Sequence, residues 1–229
     1  MKKQKVTAIV LAAGNSIRYG QNYNKNLEIV NSKTVLEYSL NEFNKNKKID
    51  NIIIACKESE LENINNIIYK TRSNKPIKAV IGGKSRQESV YNSINSTDSD
   101  IVIIHDAARP MLKQEYINTC INEMKNFKGV TIGVKSKDTI KIADNSGIIK
   151  QTTKRENTWI IQTPQCFDRL SLLEAHNKFK NDLDITDDCM ILERNNDIVK
   201  IIPGDYSNIK LTTYEDLNLI KEFLKSSNY

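Results

Sequence analysis

Histidine and cysteine are scarce in this 229-residue chain, and their spacing excludes several chemistries. The two histidines, His105 and His176, and the four cysteines, Cys56, Cys120, Cys166 and Cys189, are scattered with no Cys-x-x-Cys pair. Neither a structural zinc site nor a disulfide scaffold is expected. Free thiols instead fit a reducing compartment, the cytoplasm. No run approaches the roughly 18 apolar residues of a membrane helix. The net charge of +6 suits a protein that handles polyanions, nucleic acid among them, although aromatic residues are few and are not interleaved with the scattered lysines, which counts against a nucleic-acid partner. It suits a phosphate-rich small molecule equally well. Repeats, low-complexity tracts and linkers are also missing, which leaves one domain over residues 1–229.

What is present is alternation. Short apolar runs at Val6–Leu11, Asn51–Ala55, Ile77–Ile81, Ile101–His105, Val130–Val134, Thr158–Gln162 and Val199–Ile202 predict strands. Between them, Val35, Leu36, Leu40 and Phe43, then Leu61, Ile64 and Ile68, then Ile117, Cys120, Ile121 and Met124 carry helical spacing. This predicts an α/β fold with a doubly wound, mostly parallel Rossmann-like sheet. Met1 to Lys5 followed by Val6 to Ala13 has the outline of a short secretory leader. The apolar run is short and β-branched and leads into Gly14, which equally describes a buried first strand. Ser85-Arg86-Gln87-Glu88 has the form of a capping box, and Thr186 before Asp187 and Asp188 reads as a helix cap.

Residues 135–157 break the alternation. Thr139–Ala143 and Ile148–Thr153 flank Asp144-Asn145-Ser146-Gly147, which predicts a protruding β-hairpin. Such a hairpin is marginal alone and needs a surface to pack on; a second subunit is the natural one.

Ligands of open α/β sheets bind beyond the carboxyl ends of the strands. Leu11-Ala12-Ala13-Gly14-Asn15-Ser16-Ile17-Arg18 reads as a phosphate loop with Arg18 and Lys25 as fixed cations. It lacks the Gly-x-Gly-x-x-Gly fingerprint and the glycine of a nucleophile elbow. Gly82-Gly83-Lys84-Ser85 ends like a P-loop, but Lys78 stands where the leading glycine is required. His105-Asp106-Ala107-Ala108-Arg109-Pro110 closes a strand, placing an acid and an arginine where a sugar, a metal or a phosphate could be held. His105 itself reads as a structural residue. A fourth set is Thr139, Arg155 and Gln162-Thr163-Pro164-Gln165; a fifth is Asn208-Ile209-Lys210-Leu211-Thr212. Each set also has a plain reading as a turn, a helix start or a solvated charge.

Together the segments resemble one family. Leu-Ala-Ala-Gly with Arg18 and Lys25, Gly-Gly-x-x-Arg-x-x-Ser-Val, His-Asp-Ala-Ala-Arg-Pro, Thr-Pro-Gln-x-Phe, Thr-Asp-Asp and Asn-Ile-Lys-Leu-Thr stand in the order of the 2-C-methyl-D-erythritol 4-phosphate cytidylyltransferases, from Val6 to about Leu224. The resemblance implies that Arg18 and Lys25 stabilise the transition state at the α-phosphate of CTP. Ala12, Ala13, Gly14, Asn15 and Ser16 would bind the nucleotide, with Gly82, Gly83 and Ser89 at the cytosine. Asp106, Arg109, Thr139, Arg155 and Lys210 would position the polyol phosphate. It further implies Mg2+ held mainly by the CTP phosphates, with Asp106 as its candidate protein ligand. The hairpin would then be the arm of a homodimer. The chain departs from the usual pattern at Ser16, at Asn24-Lys25-Asn26, where Pro-Lys-Gln is common, and at Lys84, where an acid is common. Two other readings stay open: a ribitol-5-phosphate cytidylyltransferase, against which Ala107-Ala108 counts, and a nucleotide-binding module without turnover.

Overall fold

The computed structural model describes residues 3–14, 16, 19, 24–182 and 184–226. Strand β1 (Val6–Leu11) is apolar except at Thr7 and buried up to Leu11, as a strand covered on both faces must be. Two short strands, β2 (Ile29–Val30) and β3 (Lys33–Thr34), lead into α1 (Val35–Lys45). That helix begins at a complete capping box between Thr34 and Glu37. Strand–helix pairs follow in β4 (Asn51–Cys56) with α2 (Leu61–Thr71), β5 (Ile77–Ile81) with α3 (Arg86–Asn95) and β6 (Ile101–Asp106) with α4 (Gln114–Glu123). Next come β7 (Gly129–Lys135), the hairpin of β8 (Lys141–Ala143) and β9 (Ile149–Thr152), β10 (Trp159–Asp168), α5 (Arg169–Lys178), α6 (Asp188–Arg194), β11 (Val199–Pro203) and α7 (Tyr214–Ser226).

Seven strands form one sheet in the order β11-β7-β10-β6-β1-β4-β5. All run in one direction except β10, which is antiparallel to β6 and β7. Side chains of successive residues alternate across the sheet. In β1, Ala8 and Val10 face a core built with α1, α2 and α4, centred on Leu36, Leu40, Phe43, Ile64 and Ile117. Ile9 faces a second core with Val90 and Ile94 of α3, Leu172 of α5 and Ile191 and Leu192 of α6. A third cluster packs Leu217, Ile220 and Leu224 of α7 against Tyr38, Met111 and Leu211. Both faces are therefore covered, as expected for a doubly wound sheet.

Three local expectations are corrected. Thr186 is not the cap of α6; Asp187 is, accepting from the Met190 N–H at 3.0 Å, since a carboxylate one residue nearer the helix reaches its orphan amide. At α3 only half of the capping box forms, because the Glu88 carboxylate accepts from the Lys84 N–H instead of the Ser85 N–H. Gln162-Thr163-Pro164-Gln165 is not a loop after a strand but the middle of β10, where pairing with β7 shifts register between Ile161 and Gln165.

Gly204 follows β11 so closely that an added Cβ would stand 2.4 Å from Cγ2 of Ile132 and 2.8 Å from Oε1 of Gln162. Gly204→Ala is expected to destabilise the fold by about 1–3 kcal/mol through overpacking. Urea denaturation would check it; an unchanged midpoint would show that the β7–β11 edge yields freely.

Candidate active site

From β5 the chain crosses back over β1 to place β6 on its other side, so the winding direction reverses between β1 and β6. Crevices at such switch points are where open sheets bind ligands. Here Leu11 and Asp106 are register partners at the carboxyl ends of the two strands, and both line a cleft of about 440 Å3. The other walls are the loop after β1 (Ala13, Gly14, Ser16), the loop after β5 (Gly83, Lys84, Ser85) and Ser89 of α3. Lys25, Lys57, Lys84, Arg86 and Lys210 line this cleft together with Asp106, the one acidic residue among the described lining residues.

The family departures at Ser16, Asn24 and Asn26 form a connected set of hydrogen bonds. Ser16 has φ 53°, in the left-handed region that glycine enters more easily. Its hydroxyl accepts from the Lys25 N–H at 3.0 Å. Asn24 and Asn26 each donate a side-chain amide to the Ala12 carbonyl, at 2.7 and 3.1 Å. Lys25 is thereby tied to the end of β1 from both sides. Ala12, expected at the nucleotide, is instead buried beneath the cleft, its N–H donating to Ala55 and its carbonyl spent on these amides. Asn15 and Arg18 lie outside the described residues.

Gly82 also lies behind the wall: its N–H donates to the Cys56 carbonyl, and an added Cβ would meet Ala13 Cβ at 2.8 Å. The glycine lets the two loops touch. Ser89 accepts from the Gly83 N–H at 2.9 Å and donates to the Ser85 carbonyl at 2.8 Å, so its hydroxyl closes the loop that it lines.

Asp106 sits at the centre. Its Oδ2 accepts from Lys210 Nζ at 2.6 Å, and Oδ1 lies 3.6 Å from Arg86 Nε. Burial alone would raise its pKa, but Arg86, Lys210 and Arg109 outweigh burial and hold the carboxyl well below the usual range. His105 is fully buried with both nitrogens bonded. The Arg109 carbonyl can only accept, so Nε2 carries the proton and Nδ1 accepts from Thr163 Oγ1, which accepts in turn from the Asp106 N–H. This chain fixes Asp106 by its backbone, and burial pushes His105 down to about 4.

A second lobe of about 590 Å3 shares Arg86, Asp106 and Lys210 with the first and continues past Arg109, Gln162, Thr163, Gln165, Thr186 and Asp187. Its floor is the register shift of β10, and Asn208 ties it to the Lys210 segment by donating to Gln162 Oε1 and the Thr163 carbonyl. Arg109 donates to the Asn208 carbonyl at 2.7 Å, so it braces the lobe as well as lining it. Thr139 and Arg155 are not brought here. They bond each other at 3.0 Å on the exposed hairpin side, in a shallow depression that shares no lining residue with either lobe.

Sequence reasoning passed over Lys57, although it directly follows a strand, and left Arg86 without a role inside a motif it had quoted. Gln162, Thr163 and Asn208 stood in quoted segments, but their convergence depends on pairing across 45 and 46 residues.

A doubly wound α/β sheet with a cation-lined cleft at its switch point defines the nucleotide-handling α/β proteins. The family model described as "IspD: 2-C-methyl-D-erythritol 4-phosphate cytidylyltransferase" matches residues 6–226, and the chain belongs to this family. It is 40% identical over 224 residues to the 2-C-methyl-D-erythritol 4-phosphate cytidylyltransferase of Clostridium botulinum strain 657, covering 96% of this chain and 98% of that one. The corresponding protein of Caldanaerobacter subterraneus subsp. tengcongensis is 41% identical, with 96% and 99% covered. The crystal structure of 4-diphosphocytidyl-2C-methyl-D-erythritol synthase from Anaerococcus prevotii superposes with a TM-score of 0.87 at 30% identity, over 98% of this chain and all of that one.

Because the His105 pKa is lower folded than unfolded, the unfolded state takes up more protons. This contribution is complete above about pH 6.5 and is lost as the pH falls towards 4. Wild type should lose about 2–3 kcal/mol from this source by about pH 4.5. Comparing urea midpoints at neutral and acid pH with those of His105→Gln checks it; equal pH dependence would remove His105 as the origin.

Proposed function

We propose that this chain transfers CMP from CTP to 2-C-methyl-D-erythritol 4-phosphate, giving 4-diphosphocytidyl-2-C-methyl-D-erythritol and pyrophosphate in non-mevalonate isoprenoid precursor synthesis. The observation that carries the reading is the paired cleft: a lobe with five cations around one carboxylate, joined to a second lobe at Arg86, Asp106 and Lys210. CTP takes the first lobe, its triphosphate against Lys25 and the loop after β1. The polyol phosphate takes the second, positioned by Asp106, Arg109 and Lys210. Family membership favours methylerythritol phosphate over ribitol 5-phosphate as acceptor.

An oxygen of the acceptor phosphate attacks the α-phosphorus in line. The new P–O bond forms as the bond to the α–β bridging oxygen breaks, and pyrophosphate leaves with that electron pair. A phosphomonoester with a second pKa of about 6 is already mostly dianionic at neutral pH, so no general base is required. Lys25, and Arg18 by the family resemblance, neutralise charge that builds at the α-phosphate, and the cleft aligns the two phosphates.

Mg2+ commonly takes one or two carboxylates and otherwise phosphate and water oxygens. Asp106 fits that mode, since its Oδ1 makes no hydrogen bond among the described residues. These residues contain no cluster of three or more ligating side chains. An ion held mainly by the triphosphate, with Asp106 as protein ligand, would neutralise part of its charge.

The arm supports a homodimer. Ile140, Ile142, Ile148, Ile149 and Ile160 are all at least 39% exposed on or beside the hairpin, which a partner surface would cover. Thr139 and Arg155 would then complete the partner's acceptor lobe. Four buried, unpaired cysteines support a cytoplasmic location, and no described helix is long and apolar enough to cross a membrane.

Pyrophosphate release from CTP and Mg2+, with methylerythritol 4-phosphate and ribitol 5-phosphate offered in parallel, tests the assignment. Turnover of the first alone is expected; turnover of the second alone would move the protein to wall-polymer synthesis, and CTP binding without turnover would make it a silent module. Lys25→Ala should lower kcat by about 10²- to 10³-fold with little change in CTP affinity. Arg155→Ala should chiefly raise the KM for the polyol phosphate. Mixed dimers of the two variants should recover activity, because one site in each is intact when the arm serves its neighbour. No recovery would place Arg155 in its own subunit's site.

A further inference from the structure

One guanidinium at the seam of the two lobes faces two acids. Arg86, the first residue of α3, donates from Nη1 to Asp188 Oδ2 at 2.7 Å, while its Nε stays 3.6 Å from Asp106 Oδ1. The first distance is a charge-assisted hydrogen bond; the second is too long to be one. Asp188, the first residue of α6, has a side chain only 1% exposed, whereas that of Arg86 is 30% exposed and lines both lobes. The pair thus has a buried, fixed end and an end that stands in the cleft.

The remaining surroundings make Arg86 the principal partner of Asp188. His176 Nε2 lies 3.8 Å from Asp188 Oδ1, beyond hydrogen-bond reach, and neither atom has another hydrogen-bond partner among the described residues. A buried carboxylate left in this way holds its one bonded cation tightly, since breaking such a pair strands a charge. Holding α3 near α6 does not itself call for an ion pair there, because an apolar pair of similar volume stabilises such a buried contact at least as well. What the pair does accomplish is positional. Without Asp188, the nearest acid to Arg86 is Asp106, and a guanidinium free to move would close the 3.6 Å gap into a bidentate pair. That pairing would compete with Lys210, which now holds Asp106 Oδ2 at 2.6 Å.

We propose that Asp188 is a positioning residue for the cytidylyl transfer: it holds Arg86 at the seam but off Asp106, so that Arg86 serves the phosphates while Asp106 and Lys210 serve the acceptor. This rests on the assignment of the two lobes to CTP and the polyol phosphate. It gives the Thr-Asp-Asp segment two separate duties, with Asp187 capping α6 and Asp188 aiming a side chain from another helix.

Asp188→Asn keeps the volume and removes the charge. It is expected to raise the KM for the polyol phosphate by about 10- to 100-fold, as loss of an orienting partner commonly does, and to lower kcat/KM for CTP as well, since Arg86 is drawn off the phosphates. If only the melting temperature falls and the kinetic constants of the folded enzyme stay the same, the positioning role is overturned. Arg86→Met combined with Asp188→Leu removes both charges together and is expected to fold with an equal or higher Tm while losing about 10²-fold or more in kcat/KM. A double variant that keeps wild-type kcat/KM would make the pair purely structural and overturn the proposal. A crystal structure of Asp188→Asn should show Arg86 drawn into a bidentate pair with Asp106, and an Arg86 that has not moved towards Asp106 overturns the proposal. That displacement can be read whether or not wild type turns over methylerythritol phosphate, so absent wild-type turnover counts against the functional assignment alone.

Discussion

The Asp106 carboxylate is the charge around which this molecule is arranged. It stands at the end of β6, paired in register with the end of β1, where the winding of the sheet reverses. A carboxylate buried at such a point is tenable only if cations reach it, because burial alone would drive it to protonate. Three do so from separate parts of the chain: Arg86 from α3, Arg109 from the loop after β6 and Lys210 from the loop after β11. The elements that bring these cations together are also the walls of the cleft. Neutralising the acid and shaping the site are the same structural requirement.

Two features keep that centre rigid. Thr163 and His105 form a buried hydrogen-bonded chain behind the Asp106 backbone, and the register shift in β10 turns Gln162 and Thr163 out of the ladder with β7 towards Asn208 and Asp106. The antiparallel insertion of β10 between β6 and β7 is therefore not incidental to an otherwise parallel sheet. It supplies the floor of the second lobe, and the connection that permits it, from β7 to β10, carries the hairpin. One topological choice yields both the lobe and the exposed arm.

The loop after β1 shows how departures from a family pattern are accommodated. Serine at the left-handed position carries steric strain that glycine would avoid, yet its hydroxyl gains the Lys25 N–H. Asn24 and Asn26 replace other residues and converge on one carbonyl of Ala12. Read as isolated differences, they cast doubt on the path of the loop. In the structure they act together, and Lys25 remains at the cleft wall.

Strand positions were legible in the sequence because a strand buried on both faces must be a continuous apolar run, and each of the seven sheet strands overlaps such a run, although β10 continues from Thr163 to Asp168 beyond the one at Thr158–Gln162. The helices α5 and α7 were not read, the first because Leu172, Ala175 and His176 make a weak apolar face, the second although Leu217, Ile220 and Leu224 carry helical spacing. The loop residues at the strand ends were visible as types, since glycine, arginine and lysine there have a local meaning. Which of them line the cleft was not, because Ala12 and Gly82 differ from Ala13 and Gly83 only in which side of the loop they face. The partnerships of Arg86 with Asp188 and of Lys210 with Asp106 span 102 and 104 residues. Local patterning thus determined the elements and the chemistry available at their ends; strand order, register and the packing of α3 against the rest decided which charges meet, because such pairs are set by the folded path of the chain and leave no periodic signal along it.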